Sequence, residues 1–190
     1  AEFIFLANID PVLQLHVLSQ VDKPKMVVTD TMNFWIEGKR DELLEVLNKS
    51  DVVVVNDEES FLLTNERNIL KAAEQILGYG CGSVIIKQGM HGAMMLSEDD
   101  FFTVPGYVLK DLKDTTGAGD TFAGGFIGYL ASKGRLTKSN ISRAMALGCV
   151  LSSFVCEEFS VKSTSNLSRE KFFSRCDEFY RFSRVPRVSI

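Results

Sequence analysis

The chain has 190 residues, of which 45% are hydrophobic and 24% are charged, and its formal net charge is −4. This composition suffices for one hydrophobic core. The scattered lysines and arginines form no basic patch that would indicate nucleic acid or a membrane surface as a partner. No apolar run approaches the length of a membrane-spanning helix.

The predicted elements alternate short β-rich segments with longer helical ones along the chain. Strands are predicted over residues 3–6, 25–29, 52–55, 83–87, 93–96 and 102–104, and helices over residues 11–20, 41–47, 58–63, 69–77, 119–133, 138–156 and 169–183. Apolar strands interleaved with helices are typical of a mostly parallel sheet that is covered by helices on both faces. We therefore predict a single α/β domain over residues 1–190, with its ligands beyond the carboxyl ends of the strands.

Polar residues follow the predicted strands at that edge. Asn56 and Glu59 have the spacing of a capping box, in which each side chain accepts a hydrogen bond from the other residue's backbone, so a helix start explains them without a ligand. Lys87 ends a buried strand, where its long side chain could simply reach solvent. Each of these residues is also a candidate for binding an anionic ligand or its metal.

A glycine-rich segment leads directly into a predicted helix. It reads Asp-Thr-Thr-Gly-Ala-Gly-Asp-Thr-Phe-Ala-Gly-Gly over residues 114–125. The N–H groups and the dipole at a helix start bind anions, and Asp120 lies in the first turn beside any such anion. An anion-binding loop with an adjacent carboxylate can stabilise a transferring phosphoryl group and accept a hydroxyl proton. The alternative is an ordinary helix preceded by a glycine turn.

Two other nucleotide-binding motifs do not fit this segment. A P-loop requires Gly-Lys-Ser/Thr, whereas Gly119 is followed by Asp120 and Thr121, and a dinucleotide fingerprint requires a glycine where Phe122 stands. Residues 114–125 instead resemble the C-terminal signature of the ribokinase (PfkB) family of carbohydrate and nucleoside kinases. The resemblance implies ATP as the phosphoryl donor.

This resemblance assigns roles within the glycine-rich segment. It implies that Asp120 is the catalytic base. Three N–H groups are implied to form the anion hole, those of Gly117, Ala118 and Gly119. In relatives that need a monovalent cation such as K⁺, the positions matching Asp114 and Thr116 help to bind it.

The other polar clusters are assigned by the same resemblance to nucleotide and magnesium. Asn56 and Glu59 are similar to the Asn-x-x-Glu motif that organises Mg²⁺ and phosphate, and Glu59 would act on the metal through waters. Lys87 would lie near the phosphates and Gly89 beside the ribose, with Gly92 in the same turn.

The acceptor side of the predicted site is represented by Asp30 and Asn33. They are similar to the family's Asp-x-Asn segment near the acceptor, but the spacing here is Asp-x-x-Asn. A loop docked by the neighbouring Trp35 would also explain them.

The resemblance covers nearly the whole chain but not the whole family fold. Relatives carry an N-terminal segment that supplies early strands, much of the sugar site and a β-lid, and its Gly-Gly signature is absent here. We therefore expect a ribokinase-like three-layer α/β/α fold without the N-terminal part and lid. A bare sheet edge would then favour a homo-oligomer.

The predicted function is ATP-dependent transfer of a phosphoryl group to a hydroxyl of a sugar or sugar-like small molecule. A nucleoside kinase and a non-catalytic nucleotide-binding or regulatory scaffold are the alternatives. The cysteines show neither CxxC pairs nor zinc-ligand spacing and are predicted to be free thiols; they are Cys81, Cys149, Cys156 and Cys176. Free thiols, and an N-terminus unlike a signal peptide, favour a cytoplasmic protein.

Overall fold

The computed structural model describes residues 1–160 and 162–184. In these residues six strands form one sheet whose spatial order is the order of the chain. The strands are β1 Phe3–Leu6, β2 Met26–Asp30, β3 Val52–Asn56, β4 Ser83–Lys87, β5 Ala93–Ser97 and β6 Phe101–Val104. The pairs from β1 to β4 are parallel, and β5 and β6 continue the sheet antiparallel. The predicted mostly parallel sheet is therefore confirmed.

The helices lie between and after the strands. They are α1 Pro11–Ser19, α2 Asn33–Gly38, α3 Arg40–Asn48, α4 Asp57–Thr64, α5 Ile69–Leu77, α6 Ala118–Lys133, α7 Lys138–Val155, α8 Lys162–Ser165 and α9 Arg169–Ser183, with a 3₁₀ turn at Gly89–His91. The sequence predicts all of these helices except α2 and α8, within a few residues at each end. Both missed helices are short.

The sheet separates two hydrophobic cores, because successive side chains of a strand point to opposite faces. Val54 of β3 belongs to a core with α6, α7 and α9, whereas the adjacent Val53 and Val55 belong to a core with α2, α3, α4 and α5. On the second side, α1 packs through Leu15 and Leu18 on a smaller cluster around β1 and β2. The result is the expected three-layer α/β/α arrangement.

Two glycines let α6 and α7 approach each other closely. A Cβ added at Gly125 would lie 3.4 Å from the Cα of Gly148, and one added at Gly148 would lie 2.9 Å from the carbonyl oxygen of Phe122. Larger side chains would force the helices apart. This contact holds α6 against α7, so the start of α6 has a defined position at the edge of the sheet.

The sheet has two edge strands, β1 and β6, and among the described residues each pairs on one side only. The carboxyl ends of β1 to β4 point to one common edge, called the carboxyl edge below. A search of the described helices finds none with the length and hydropathy needed to cross a membrane.

Candidate active site

Three neighbouring strands each end in a polar residue at the carboxyl edge. Asp30 is the last residue of β2, Asn56 of β3 and Lys87 of β4, and Asn56 pairs directly with Lys87 in the sheet. The parallel register brings the three side chains together although they are far apart in sequence.

A buried ion pair joins the ends of β2 and β4. The Nζ atom of Lys87 lies 3.7 Å from Oδ1 of Asp30, and the two side chains are only 16% and 6% exposed. The same carboxylate oxygen accepts a hydrogen bond of 2.9 Å from the N–H of Thr31. Burial raises the pKa of the Asp30 carboxyl, the positive charge of Lys87 opposes this, and the nearby charge of Asp120 raises the pKa further. Asp120 is therefore near enough to Asp30 to act on it electrostatically.

The start of α4 is closed by a capping box. Glu59 Oε2 accepts from the N–H of Asn56 at 2.7 Å, and Asn56 Oδ1 accepts from the N–H of Glu59 at 2.7 Å. Glu59 is 8% exposed. Burial raises the pKa of its carboxyl, and the Asn56 hydrogen bond and the charge of Lys87 act against that rise. The capping interpretation is thus confirmed, and it holds Glu59 beside Lys87; the magnesium role stays a prediction.

The start of α6 is left open. Its N-cap is Gly117, which has φ 80° and no side chain to cap the helix, so glycine is required there by the left-handed backbone. The N–H of Ala118 donates to the carbonyl of Thr115 at 3.0 Å. The following N–H groups belong to the first turn, where a helix offers them no internal partner.

Lys87 lies directly against this open helix start. A Cβ added at Gly119 would be 2.9 Å from Lys87 Nζ, so the absence of a side chain at Gly119 makes room for the ammonium group. A cation at the positive end of a helix dipole is unfavourable unless an anion joins them. The ammonium group and the open N–H groups together have the chemistry that a phosphate-like anion would need, and the anion itself stays a prediction.

Asp120 is the third residue of α6, and its side chain is exposed. Upstream, Asp114 Oδ1 accepts from the N–H of Thr116 at 3.0 Å, and this bond lowers the pKa of the Asp114 carboxyl. No group of three or more His, Cys, Asp or Glu side chains suited to a metal occurs in the described part of the chain. The predicted cation site at Asp114 and Thr116 is a local turn in this structure, and its cation stays a prediction.

The remaining predicted residues differ in their surroundings. Gly89 has φ 55° and faces open space, as a ribose contact would require. Gly92 has φ 95°, and its missing Cβ would lie 2.1 Å from the carbonyl oxygen of Val104, so packing against the end of β6 accounts for this glycine. Asn33 is exposed at the first position of α2, and no hydrogen bond or ion pair connects it to Asp30 within residues 1–160 and 162–184.

Comparison with known proteins gives the context of this site. The pfkB family of carbohydrate kinases matches residues 15–167, which is most of the chain. The chain belongs to the pfkB carbohydrate kinase family. It is 32% identical over 141 residues to the cytidine kinase of Thermococcus kodakarensis and 30% identical over 133 residues to the ribokinase of Staphylococcus aureus. These matches cover 71% and 66% of this pfkB-family chain but 49% and 41% of the relatives, so the chain spans half or less of their length.

Solved structures of the same family share the fold. Aminoimidazole riboside kinase from Salmonella enterica, complexed with aminoimidazole riboside and an ATP analogue, superimposes with a TM-score of 0.75 at 18% identity, covering 92% of this chain and 64% of that one. The nucleoside kinase of Methanocaldococcus jannaschii gives a TM-score of 0.74 at 22% identity, covering 94% and 56%. The predicted ribokinase-like fold class is thus confirmed for this pfkB-family chain.

Sequence reasoning missed one residue at the carboxyl edge of this pfkB-family fold. Gln14 of α1 is 1% exposed, and its side-chain amide reaches the ends of both β1 and β2. Trp35 donates from Nε1 to Asn8 Oδ1 at 2.8 Å and ties α2 to the segment after β1. A polar residue at a buried position of a short apolar helix was the only available signal for Gln14.

Proposed function

We propose that this chain is the nucleotide-binding and catalytic-base part of an ATP-dependent kinase, which phosphorylates a hydroxyl of a sugar or sugar-like small molecule. One observation carries the proposal: the largely buried ammonium group of Lys87, paired with the Asp30 carboxylate, lies against the open start of a helix. Lys87 and the N–H groups of Gly117 and Gly119 are suited to hold the transferring phosphoryl group. The N–H of Ala118, which the sequence also placed in the anion hole, is instead engaged with the carbonyl of Thr115.

Asp120 supplies the base in this proposal. Its carboxylate accepts the proton of the acceptor hydroxyl as the hydroxyl oxygen bonds to the γ-phosphorus of ATP, and the bond from phosphorus to the bridging oxygen breaks, releasing ADP. Asp120 is exposed at the first turn of α6, where an acceptor could reach it.

The capping box fits a magnesium-dependent nucleotide. Asn56 and Glu59 would contact the metal through waters, which suits a hard cation that dehydrates reluctantly. Magnesium, when bound, would neutralise charge on the phosphates. Gly89 would lie beside the ribose and Gly92 would shape the same turn. A potassium ion at Asp114 and Thr116 is a further part of the proposal.

The acceptor is proposed only by class. Asp30 and Asn33 would contact it, and the relatives include kinases named for ribose, fructose and cytidine. A nucleoside acceptor is therefore the nearest alternative. A non-catalytic scaffold is disfavoured because such a protein would have no chemical need for Asp120 beside the anion site.

Two measurements test the proposal. Calorimetric titration of the chain with ATP, with and without Mg²⁺, should show binding that magnesium strengthens. An ADP-release assay over sugars and nucleosides should show little turnover by this chain alone, since its relatives are about twice as long or longer. Absence of ATP binding under all conditions would refute the proposal, and ATP binding that is unchanged by magnesium would refute the metal site.

The exposed edge of the sheet suggests the oligomeric state. Within the part of the chain that the structure describes, β1 pairs on one side only, and unpaired strand edges promote association. We expect size-exclusion chromatography to show self-association, and a monodisperse monomer would contradict this part.

A further inference from the structure

The amide group of Gln14 bridges the ends of two parallel strands. Its Nε2 atom donates to the carbonyl oxygens of Ala7 at 2.9 Å, Asp30 at 3.1 Å and Leu6 at 3.4 Å. A side-chain amide has two N–H hydrogens, so three carbonyl groups share them. The contacts join α1, the end of β1 and the last residue of β2 at a single atom.

One of these carbonyl groups, that of Asp30, belongs to the residue that forms the ion pair with Lys87. Asp30 is held at its carbonyl by Gln14, and its carboxylate lies 3.7 Å from Lys87. Because Lys87 in turn lies against Gly119 at the start of α6, the position of the Asp30 backbone bears on the whole anion site.

The oxygen of the same amide indicates that Gln14 is needed for the hydrogen bonds that its nitrogen donates. Gln14 Oε1 is buried and has no hydrogen-bond partner among the described residues, and the same holds for Thr31 Oγ1 next to Asp30. Burying an unpaired polar atom is costly, so a helix that only needed to fill space would be more stable with an apolar residue at this position.

We propose that Gln14 is a positioning residue, which fixes the backbone of Asp30 and thereby holds the Asp30 carboxylate against Lys87 at the anion site. Only the effect of Gln14 on catalysis rests on the proposed function. The geometric role stands on the hydrogen bonds themselves. The hydrogen bonds of Gln14 reach Leu6, Ala7 and Asp30 and not Lys87, so Gln14 acts through Asp30.

Crystal structures of the parent and of Gln14→Met test the geometric role. Methionine has a similar size and removes all three hydrogen bonds. We expect the Asp30 carboxylate to move away from Lys87 by about 1 Å or more, a displacement that is large for catalysis. Gln14→Glu keeps the shape but turns an acceptor toward the three carbonyl groups, and it should displace Asp30 as well. An unchanged distance between Asp30 and Lys87 in both variants would overturn the proposal.

Ser83→Ala is the matched control. Ser83 is 5% exposed and donates from Oγ to the carbonyl of Asp51 at 3.1 Å, at the opposite edge of the sheet. Its loss should lower stability without moving Asp30. If Ser83→Ala displaced Asp30 as far as Gln14→Met does, the displacement would reflect a general loss of stability and the proposal would fail.

Kinetics separate positioning from stability with any acceptor that the parent phosphorylates. In Gln14→Met the KM for the acceptor should rise about tenfold or more, and more than the KM for ATP, because Asp30 would contact the acceptor directly and reaches ATP only through Lys87. Equal changes for both substrates, or none, would contradict a role through Asp30. If the parent bound no ATP and phosphorylated nothing, the proposed function would fail, and the crystal structures would still decide the role of Gln14.

Discussion

The starts of α4 and α6 lie at the same edge of the sheet, and both are close to Lys87, but the start of α4 is capped by side chains and the start of α6 is not. At α4 the side chains of Asn56 and Glu59 satisfy the backbone N–H groups reciprocally. At α6 the N-cap is Gly117, which has no side chain to offer. The same structural element is thus used for stability in one place and is left available for a ligand in the other.

The two helix starts also differ in the charges of the side chains around them. The first turn of α4 carries three acidic residues, which suit the positive end of a helix dipole. The first turn of α6 carries one acidic residue, Asp120, and receives the ammonium group of Lys87. The open start of α6 is therefore where we propose that an anion binds, and mutations that remove the cap of α4 or block the start of α6 test this contrast.

The largest effect is expected from removing the carboxylate at the open helix start. Asp120→Asn keeps the shape and removes the proposed base, so in the kinase of which this chain is the proposed part kcat should fall by about 10²–10⁴-fold, roughly 3–5 kcal/mol of barrier. ATP affinity measured by calorimetry should change little. Turnover near that of the parent would exclude Asp120 as the base.

Blocking the open helix start should weaken nucleotide binding. In Gly119→Val the added side chain enters the space that Lys87 Nζ occupies and obstructs the phosphate, and losing one charged hydrogen bond corresponds to about 10–100-fold in Kd for ATP. Ala118→Ser is the control, because Ala118 contributes only its backbone, and it should bind ATP nearly normally. Equally small effects of both changes would indicate that no phosphate binds there.

Removing the charge of Glu59 at the capped start of α4 should weaken the effect of magnesium on ATP binding more than it weakens the helix. Glu59→Gln retains an oxygen that can accept from the N–H of Asn56, so the capping box persists. The gain in ATP affinity on adding Mg²⁺ should shrink by about tenfold, or roughly 1.4 kcal/mol. Calorimetric titrations with and without metal measure this, and an identical gain in variant and parent would leave Glu59 with the capping role alone.

The smallest effect is expected from opening the closed helix start. Asn56→Ala removes a cap and should lower the free energy of unfolding by about 1 kcal/mol, as judged by denaturant titration. Asn68 caps α5 through the N–H groups of Leu70 and Lys71 and provides the matched control. Asn68→Ala should cost as much stability but leave the magnesium dependence of ATP binding intact. If Asn56→Ala and Asn68→Ala both lost the magnesium dependence of ATP binding, stability alone would control that dependence.

Much of the fold follows from local patterns in the sequence. The apolar runs of β3 and β4 and the capping spacing at Asn56 are complete within a few residues, and the structure confirms them. Helix α2 was missed because its N-cap, Met32, offers no side-chain hydrogen bond and the helix is six residues long. Periodicity cannot reveal an uncapped helix of that length.

The site was harder to predict than the fold because it depends on which strands are neighbours. That Asp30 meets Lys87, and that Lys87 reaches Gly119, requires the order of β2, β3 and β4 in the sheet, which no local pattern encodes. Gln14 was missed for the same reason. Its partners are backbone carbonyl groups at the ends of two strands, and a sequence pattern does not reveal hydrogen bonds to the backbone.

A sheet whose strands lie in chain order has a consequence for folding kinetics. Each new strand can pair with the strand made just before it, so the sheet can grow in the order in which the chain is synthesised. Helix α6 emerges only after all six strands and packs against β1 and α7. The proposed anion site is therefore completed only after the sheet, and in a refolding experiment the capacity to bind a nucleotide should appear after the sheet has formed.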